Sequence, residues 1–550
     1  MRNVAITFIF VLLGKLINAQ TCAADGIYFY TQSDVNNFTS NYPGCTQILG
    51  NVTIFGLPPN TNLNGLAGVT SIGGDLFIGQ NDLTNLEGLS ALHSVGGKLT
   101  IEHNSFTDLT GLNNLAFIGG TFLIQFNDLT FKSLTGLNGL AFIPGGLNIT
   151  SNDGLKDLEG LHNLTSIGGS LSISYNNALT ALTGLNALSS VGGGLGIVND
   201  DALTSLEGLE ALSSVGAGVQ ISFNDGLVNL TGLGNQLASI PKSLDIEFNK
   251  SLSALTGLDS IAMVGGDVSI KSNNTLSDLN GLAAVTTVGG NLYIESNKKL
   301  SNLDGLTAIT SIGGNLTIKN NNGLSSLKGL DSLVSVGKGI TIGRNWALSN
   351  LDGLNALTSL GGELNIYSDH SLADVTALNA LTSIGGKLTV SYNDTLMSLA
   401  GLDNIDYLTI ADLSIENSGR LTFCHVPSIC NYLSNPANPA KIAQNFPSCY
   451  SRVQVEMACA GFPVISSSSE ITDDDKINVF PNPATGIIEL ICEDKIEGVV
   501  RLIDHLGRLI AVQNLSNYST QMDISNLPAG IYFLEIRTDN QSIAKRIIKQ

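Results

Sequence analysis

The chain is 550 residues long, with 61 glycines, 13% charged residues and a formal net charge of −20 at neutral pH. The excess of 46 acidic over 26 basic side chains repels phosphate backbones and anionic lipid heads, which sets aside nucleic acid and acidic membrane surfaces as partners. The seven cysteines stand at 22, 45, 424, 430, 449, 459 and 492, all outside the long central stretch, which suits an oxidising compartment and bridges at the two ends of one domain.

Residues 1–19 carry Arg2, an apolar run from Val4 to Leu13 and a small residue at Ala19. This reads as a secretory signal peptide cleaved after Ala19. No later segment holds about 18 uninterrupted apolar residues, so no further membrane span is predicted. Ala-Gln-Thr before Cys22 lacks the small residues that flank a lipidated cysteine, and Cys22 reads as structural. Residues 20–56 form an N-terminal cap with Tyr28, Phe29, Tyr30 and Phe38, in which Cys22 pairs with Cys45.

From 57 to 417 one pattern recurs with a step of 24 residues and slips of one. It reads Leu-x-Ile-x-x-Asn-x-x-Leu-x-x-Leu-x-Gly-Leu-x-x-Leu-x-Ser-Ile/Val-Gly-Gly, as in Val288–Leu306. A fixed period of this length marks stacked units, none of which buries its apolar face alone. In Leu292-Tyr293-Ile294 the outer two side chains face one way and the middle one the other, so each cycle contributes a strand to a parallel sheet. Leu300, Leu303, Leu306, Ile309 and Ile312 are three apart, which predicts short helical turns. Pairs such as Gly96-Gly97 and Gly289-Gly290 are read as corners that use positive φ. Aligned on the Asn, fifteen cycles place Asn81 to Asn417 in one column, with Asn249, Asn273, Asn297, Asn321 and Asn345 its regular centre. Stacked amides satisfy turn backbone and each other. Calcium would need several carboxylates in one loop, and the neighbours here include Lys298, Asn177 and Trp346. No metal, cofactor or catalytic residue is predicted: His93, His103, His162, His370, His425 and His505 fall at different phases, and no zinc or nucleophile spacing occurs.

The Leu-x-Ile-x-x-Asn, Gly-Leu-x-x-Leu and Ser-Ile-Gly-Gly runs at 76–97 and 292–314 resemble the receptor L-domain type of leucine-rich repeat. The resemblance implies a mainly β fold, a right-handed parallel β-solenoid with short helical turns, that binds protein or peptide partners on its faces. The outward positions of the sheet place Tyr293, Glu295, Lys319, Thr341 and Tyr367 in one patch of aromatic and polar groups, the expected ligand-binding face.

Residues 418–465 form a C-terminal cap. Cys424, Cys430, Cys449 and Cys459 allow three pairings, of which 424–449 with 430–459 is favoured, and Val426–Leu433 suits a short helix. Ser and acidic residues make 466–476 a linker. Residues 477–550 alternate on a period of two between turns and predict a small β-sandwich, with Cys492 a buried thiol. Val479-Phe480-Pro481-Asn482-Pro483, Leu502-Ile503-Asp504 with Gly507-Arg508, Leu527-Pro528-Ala529-Gly530-Ile531-Tyr532-Phe533 and Lys545-Arg546-Ile547-Ile548-Lys549 resemble, in order and spacing, the type A C-terminal sorting domain of the type IX secretion system. That resemblance makes Pro481, Asn482, Pro483, Gly507, Gly530, Tyr532, Lys545 and Lys549 the sorting signal and the secretion machinery a partner. The expected protein is a secreted or cell-surface, non-enzymatic recognition protein for a protein or glycan ligand. A passive surface scaffold and an accessory to polysaccharide capture are the alternatives.

Overall fold

The computed structural model describes residues 20–233, 236–461, 477–492, 498–505, 508–515, 518–538 and 542–550. The 1–19 leader, the 466–476 linker and Gly507 lie outside them. The chain divides into two compact units at Leu188/Ser189.

In the first unit seven short strands, from Ile27–Phe29 and Val52–Phe55 to Leu171–Ser174, pair parallel and in register. In the second, eleven strands run in the same manner from Leu195–Val198 to Ala440–Ala443. The fold is a parallel β-solenoid of about 18 turns, each of about 24 residues. The three turns beyond the fifteen of the aligned pattern are Ile27–Phe29, Val52–Phe55 and Ala440–Ala443, inside the two expected caps.

Leu292, Ile294, Leu300, Leu303, Leu306, Ile309 and Ile312 are all at most 1% exposed. Each contributes roughly 1.5–3 kcal/mol by burial, and none could find cover without the turns on either side. Just before most of the corners lies a two-residue strand that the repeat pattern did not reveal. Ser239–Ile240, Met263–Val264, Thr287–Val288, Ser311–Ile312, Ser335–Val336 and Ser359–Leu360 make a second, six-stranded parallel ribbon.

Two local expectations are corrected. The Leu-x-x-Leu path is mostly a chain of hydrogen-bonded turns, with Leu306 N–H donating to Leu303 O and Ile309 N–H to Leu306 O. A 3₁₀ turn forms in some cycles, such as Asp304–Leu306 and Thr376–Leu378, and not in others. The two forms differ in φ at the glycine of Gly-Leu: Gly353 has φ +114° in an open turn, whereas Gly305 stays out of the positive-φ region within its 3₁₀ turn, as does Ala377 at the equivalent place, where a Cβ disfavours positive φ. The Gly-Gly corners, by contrast, do not use positive φ. A Cβ on Gly289 would lie 2.2 Å from Gly265 O, so glycine is required there because successive corners stack backbone on backbone.

The second unit ends in a cap and two antiparallel sheets. In the cap, helix Pro427–Leu433 starts on proline, and Ser451 caps helix Arg452–Cys459 by accepting from Gln454 N–H. Cys424 is bonded to Cys449 and Cys430 to Cys459; in the first unit Cys22 is bonded to Cys45. Beyond residue 476, a three-stranded sheet (Ile477–Phe480, Ile487–Cys492, Ser519–Asp523) and a four-stranded sheet (Gly498–Asp504, Leu509–Leu515, Gly530–Thr538, Ser542–Lys549) share one core around Ile488, Leu490, Val500, Leu534 and Ile547. Cys492 is buried there and free, and burial raises its thiol pKa.

Candidate functional site

The strand face brings the sequence-predicted patch together. Tyr293 lies in register between Ser269 and Thr317, and Glu295 between Lys271 and Lys319. Thr341 follows Thr317 one turn on, and Tyr367 stands beside Gly343. The ammonium of Lys271 lies 4.3 Å above the Tyr293 ring and 3.6 Å from Glu247 Oε1, while Lys319 Nζ is 3.2 Å from Glu295 Oε2. Burial, followed by the negative charges of Asp267 and Glu295, raises the phenol pKa of Tyr293. A Cβ on Gly343 would come within 2.4 Å of Tyr367 Cε1, so that ring lies across the glycine, with the Arg344 guanidinium 5.7 Å from its centroid. The patch is thus aromatic, rigid, and balanced in charge.

Behind this face runs the amide ladder. Asn249, Asn273, Asn297 and Asn321 each donate a backbone N–H to the side-chain oxygen of the next rung, at 3.1, 3.0, 2.9 and 3.1 Å, ending on Asn345. Their side-chain amides reach carbonyls such as Ile270 O, 2.8 Å from Asn297 Nδ2. All five are fully buried. One member of the aligned column is corrected: the rung after Asn393 is Ser418, not Asn417, since Asn393 N–H donates to Ser418 Oγ and Ser418 N–H to Asn445 Oδ1. Among the described residues no group of three His, Cys, Asp or Glu side chains is placed to hold a metal ion.

The feature that sequence reading missed sits just before each rung. At fifteen positions, from Gln80 to Tyr175 in the first unit and from Asn199 to Asn417 in the second, a non-glycine residue has φ between 52° and 60°. Crowding of Cβ against the carbonyl makes this left-handed conformation cost about 1–2 kcal/mol. It reverses the strand's alternation. Val219 and Ile221 point inward, Phe223 would follow them, and instead it is 44% exposed while Asn224 turns inward. Phe126, Tyr175, Phe248 and Tyr392 are held outward by the same device. The Phe223 and Phe248 rings stack at 4.7 Å with 3° between their planes, and His103 on Phe126 at 5.2 Å. A phenylalanine two places after an inward isoleucine reads as core, so the alternation rule itself hid this rim.

The remaining histidines do not converge. His370 pairs with exposed Asp394 at 2.7 Å, His425 lies 4.3 Å from the Phe423 ring, and His93 Nδ1 approaches Ala91 O.

The tail draws its two ends together. Asn482 Nδ2 donates to Arg546 O at 2.6 Å, and its Oδ1 accepts from Ile548 N–H at 2.9 Å. Ala484 N–H donates to Ile548 O, and Gln550 N–H to Ala484 O. Pro481, Asn482 and Pro483 are exposed beside the last strand, where Lys549 pairs in register with Gly530. Lys545 is half-buried, Lys549 is buried with Nζ on Gln550 O, and the Tyr532 hydroxyl donates to Pro528 O at 3.0 Å. Residues 478–550 match the secretion system C-terminal sorting domain. No curated protein matches the chain. This sorting domain marks the chain for secretion across the outer membrane, to the cell surface or the extracellular space. Among the described residues, no helix is long and apolar enough to cross a membrane. On the cap side the sorting domain meets Glu456, which is 5% exposed and accepts from Arg546 Nη1 at 3.0 Å and Arg452 Nε at 2.7 Å. Ile503, Ile531 and Phe533 pack there with Ala460 and Met457.

Proposed function

We propose that this chain is a non-enzymatic recognition protein of the cell surface or its surroundings: the sorting domain exports it by the type IX system, and the solenoid binds a protein or glycan ligand. The resemblance of the repeats to receptor L-domain leucine-rich repeats supports the binding role. The observation that carries it is the strand-face patch, in which Tyr293 sits under Lys271 and Tyr367 is laid across Gly343 beside Arg344. Aromatic side chains fixed before binding lose little entropy on contact, which is the usual property of an anchor. Strand register sets Tyr293, Glu295, Lys319 and Thr341 on consecutive turns, so a ligand can span them.

A passive scaffold is the second reading, and the pairing of Lys271 with Glu247 and of Lys319 with Glu295 favours it, because a face that satisfies its own charges needs no partner. The experiment is a retention assay on the native cell surface with purified full-length protein. Tyr293→Ala with Tyr367→Ala should weaken retention while export and Tm stay the same. Equal retention of wild type and double variant would favour the scaffold.

A further inference from the structure

We propose that the left-handed rim is a binding site for a neutral polysaccharide chain, with the stacked pair Phe223 and Phe248 as its apolar anchor; this rests on the recognition reading above and names its ligand class. The chain uses glycine freely wherever its repeats need positive φ, as at Gly208, Gly232 and Gly257 in these same turns. On the rim it does so at Gly56 in the entry turn, while the fifteen positions from Gln80 to Asn417 all keep a side chain, and five of them, Phe126, Tyr175, Phe223, Phe248 and Tyr392, carry exposed phenyl or phenol rings. The left-handed turn serves the ladder by bringing each rung inward, but apolar rings held out in water there add nothing to that turn and oppose folding, which points to a binding role for the rings.

Three observations select the ligand. First, the rim's backbone is occupied: Phe223 N–H donates to Glu247 O at 3.0 Å and Phe248 N–H to Lys271 O at 2.9 Å, so no peptide strand can be added there and recognition must go through side chains. Second, the charges that flank the platform are paired, Lys250 with Asp225 and Lys271 with Glu247, and the chain as a whole is strongly acidic, which leaves no attraction for an anionic chain. Third, the rim repeats at the spacing of the turns, with rings at 4.7 Å and hydroxyl and amide groups continuing it at Ser272, Ser296 and Asn320. A surface that repeats along a line suits a ligand that repeats along a line. A neutral polysaccharide offers C–H groups for the exposed sides of the ring pair and hydroxyls for serine and asparagine at every step, and a folded protein surface has no such period.

The test is depletion of full-length protein by insoluble cellulose, chitin, β-1,3-glucan and starch granules, with alginate as the anionic control. Retention on at least one neutral polymer is expected. Phe223→Gly with Phe248→Gly should reduce it by about ten-fold or more, the loss typical of stacked anchors. Because glycine relieves the left-handed strain, the same variant should melt at the same temperature or higher; Phe223→Asn with Phe248→Asn, which also tolerates this conformation, is the second variant. Unchanged retention in both variants overturns the proposal, as does binding to alginate alone. If no neutral polymer retains the protein while protease-sensitive binding to cells persists and depends on Tyr293 and Tyr367, the ligand is a protein on the strand face. The rim proposal then fails and the recognition reading stands.

Discussion

Asn345 donates its backbone N–H to Asp369 Oδ1 across 2.7 Å, in a ladder whose neighbouring rungs are amides. Asn345 and Asn393 each send a side-chain N–H to a carbonyl, Ile318 O and Ile366 O. Asp369 Oδ2 is buried without a hydrogen-bond partner. Burial pushes this carboxyl from 3.8 up to about 7, against the opposing pull of Asn345. The folded state therefore holds a proton that the unfolded chain releases. This contribution to stability is complete below about pH 4 and is lost as pH rises to about 7. Asp369→Asn restores the missing donor. It should stabilise the protein by about 2 kcal/mol at pH 8 and by little at pH 4. Denaturant midpoints at the two pH values measure the difference; a gain of equal size at both would separate the effect from ionisation.

The regular rungs should respond in the opposite sense. Asn297→Leu leaves Asn273 N–H and Ile270 O without their partners inside the stack. A cost of about 1–3 kcal/mol for each buried group is expected. Lys298→Ala, on the exposed residue next door, should change stability by under about 0.5 kcal/mol. Urea unfolding of the two variants side by side gives the comparison, and coincident midpoints would deny the ladder an energetic role.

The cap disulfides protect the last turns, whose apolar surface no further repeat covers. The Cys424–Cys449 bridge closes a separation of 25 residues. Replacing both cysteines by alanine should cost about 2–4 kcal/mol. Thiol labelling of the unfolded, unreduced wild type should find one reactive cysteine, Cys492. Three reactive thiols in exported protein would mean that one bridge does not form.

Removal of residues 478–550 should leave the chain in the periplasm, because the sorting domain is what carries it across the outer membrane. A finer change tests the geometry. Asn482→Ala removes both bonds to the backbone at Arg546 and Ile548, loosening the last strand by about 1 kcal/mol. Export yield should fall more steeply than for a substitution at exposed Ile487 on the same domain. Cell fractionation with immunodetection reads both results.

Glu456 should tie the sorting domain to the cap. Breaking a buried charge pair by removing one partner costs about 3–5 kcal/mol at full burial. Because Arg546 is partly exposed, Glu456→Ala should cost less than this. Faster release of the tail by limited proteolysis is the expected readout, with Tm of the solenoid nearly unchanged.

Sequence alone determined what is local and periodic. The inward Leu292 and Ile294, the rungs from Asn249 to Asn345 and the 24-residue step are legible because each turn repeats one small set of instructions, and stacking can satisfy them in only one register. The last turn was also written there, in Ala-Lys-Ile-Ala-Gln-Asn at 440–445, but its small side chains hid the pattern; Gln444 at φ +58° and buried Asn445 show that it keeps the same geometry. Only the tertiary structure decided the rest. One left-handed residue per turn inverts the alternation rule, so Phe223 faces water although its spacing from Ile221 places it in the core. Gly289 is required by Gly265 O of the preceding turn, and the ends of the tail meet through Asn482 and Arg546, 64 positions apart. Such relations depend on which backbone lies next to which, and spacing within one segment carries no record of its neighbour.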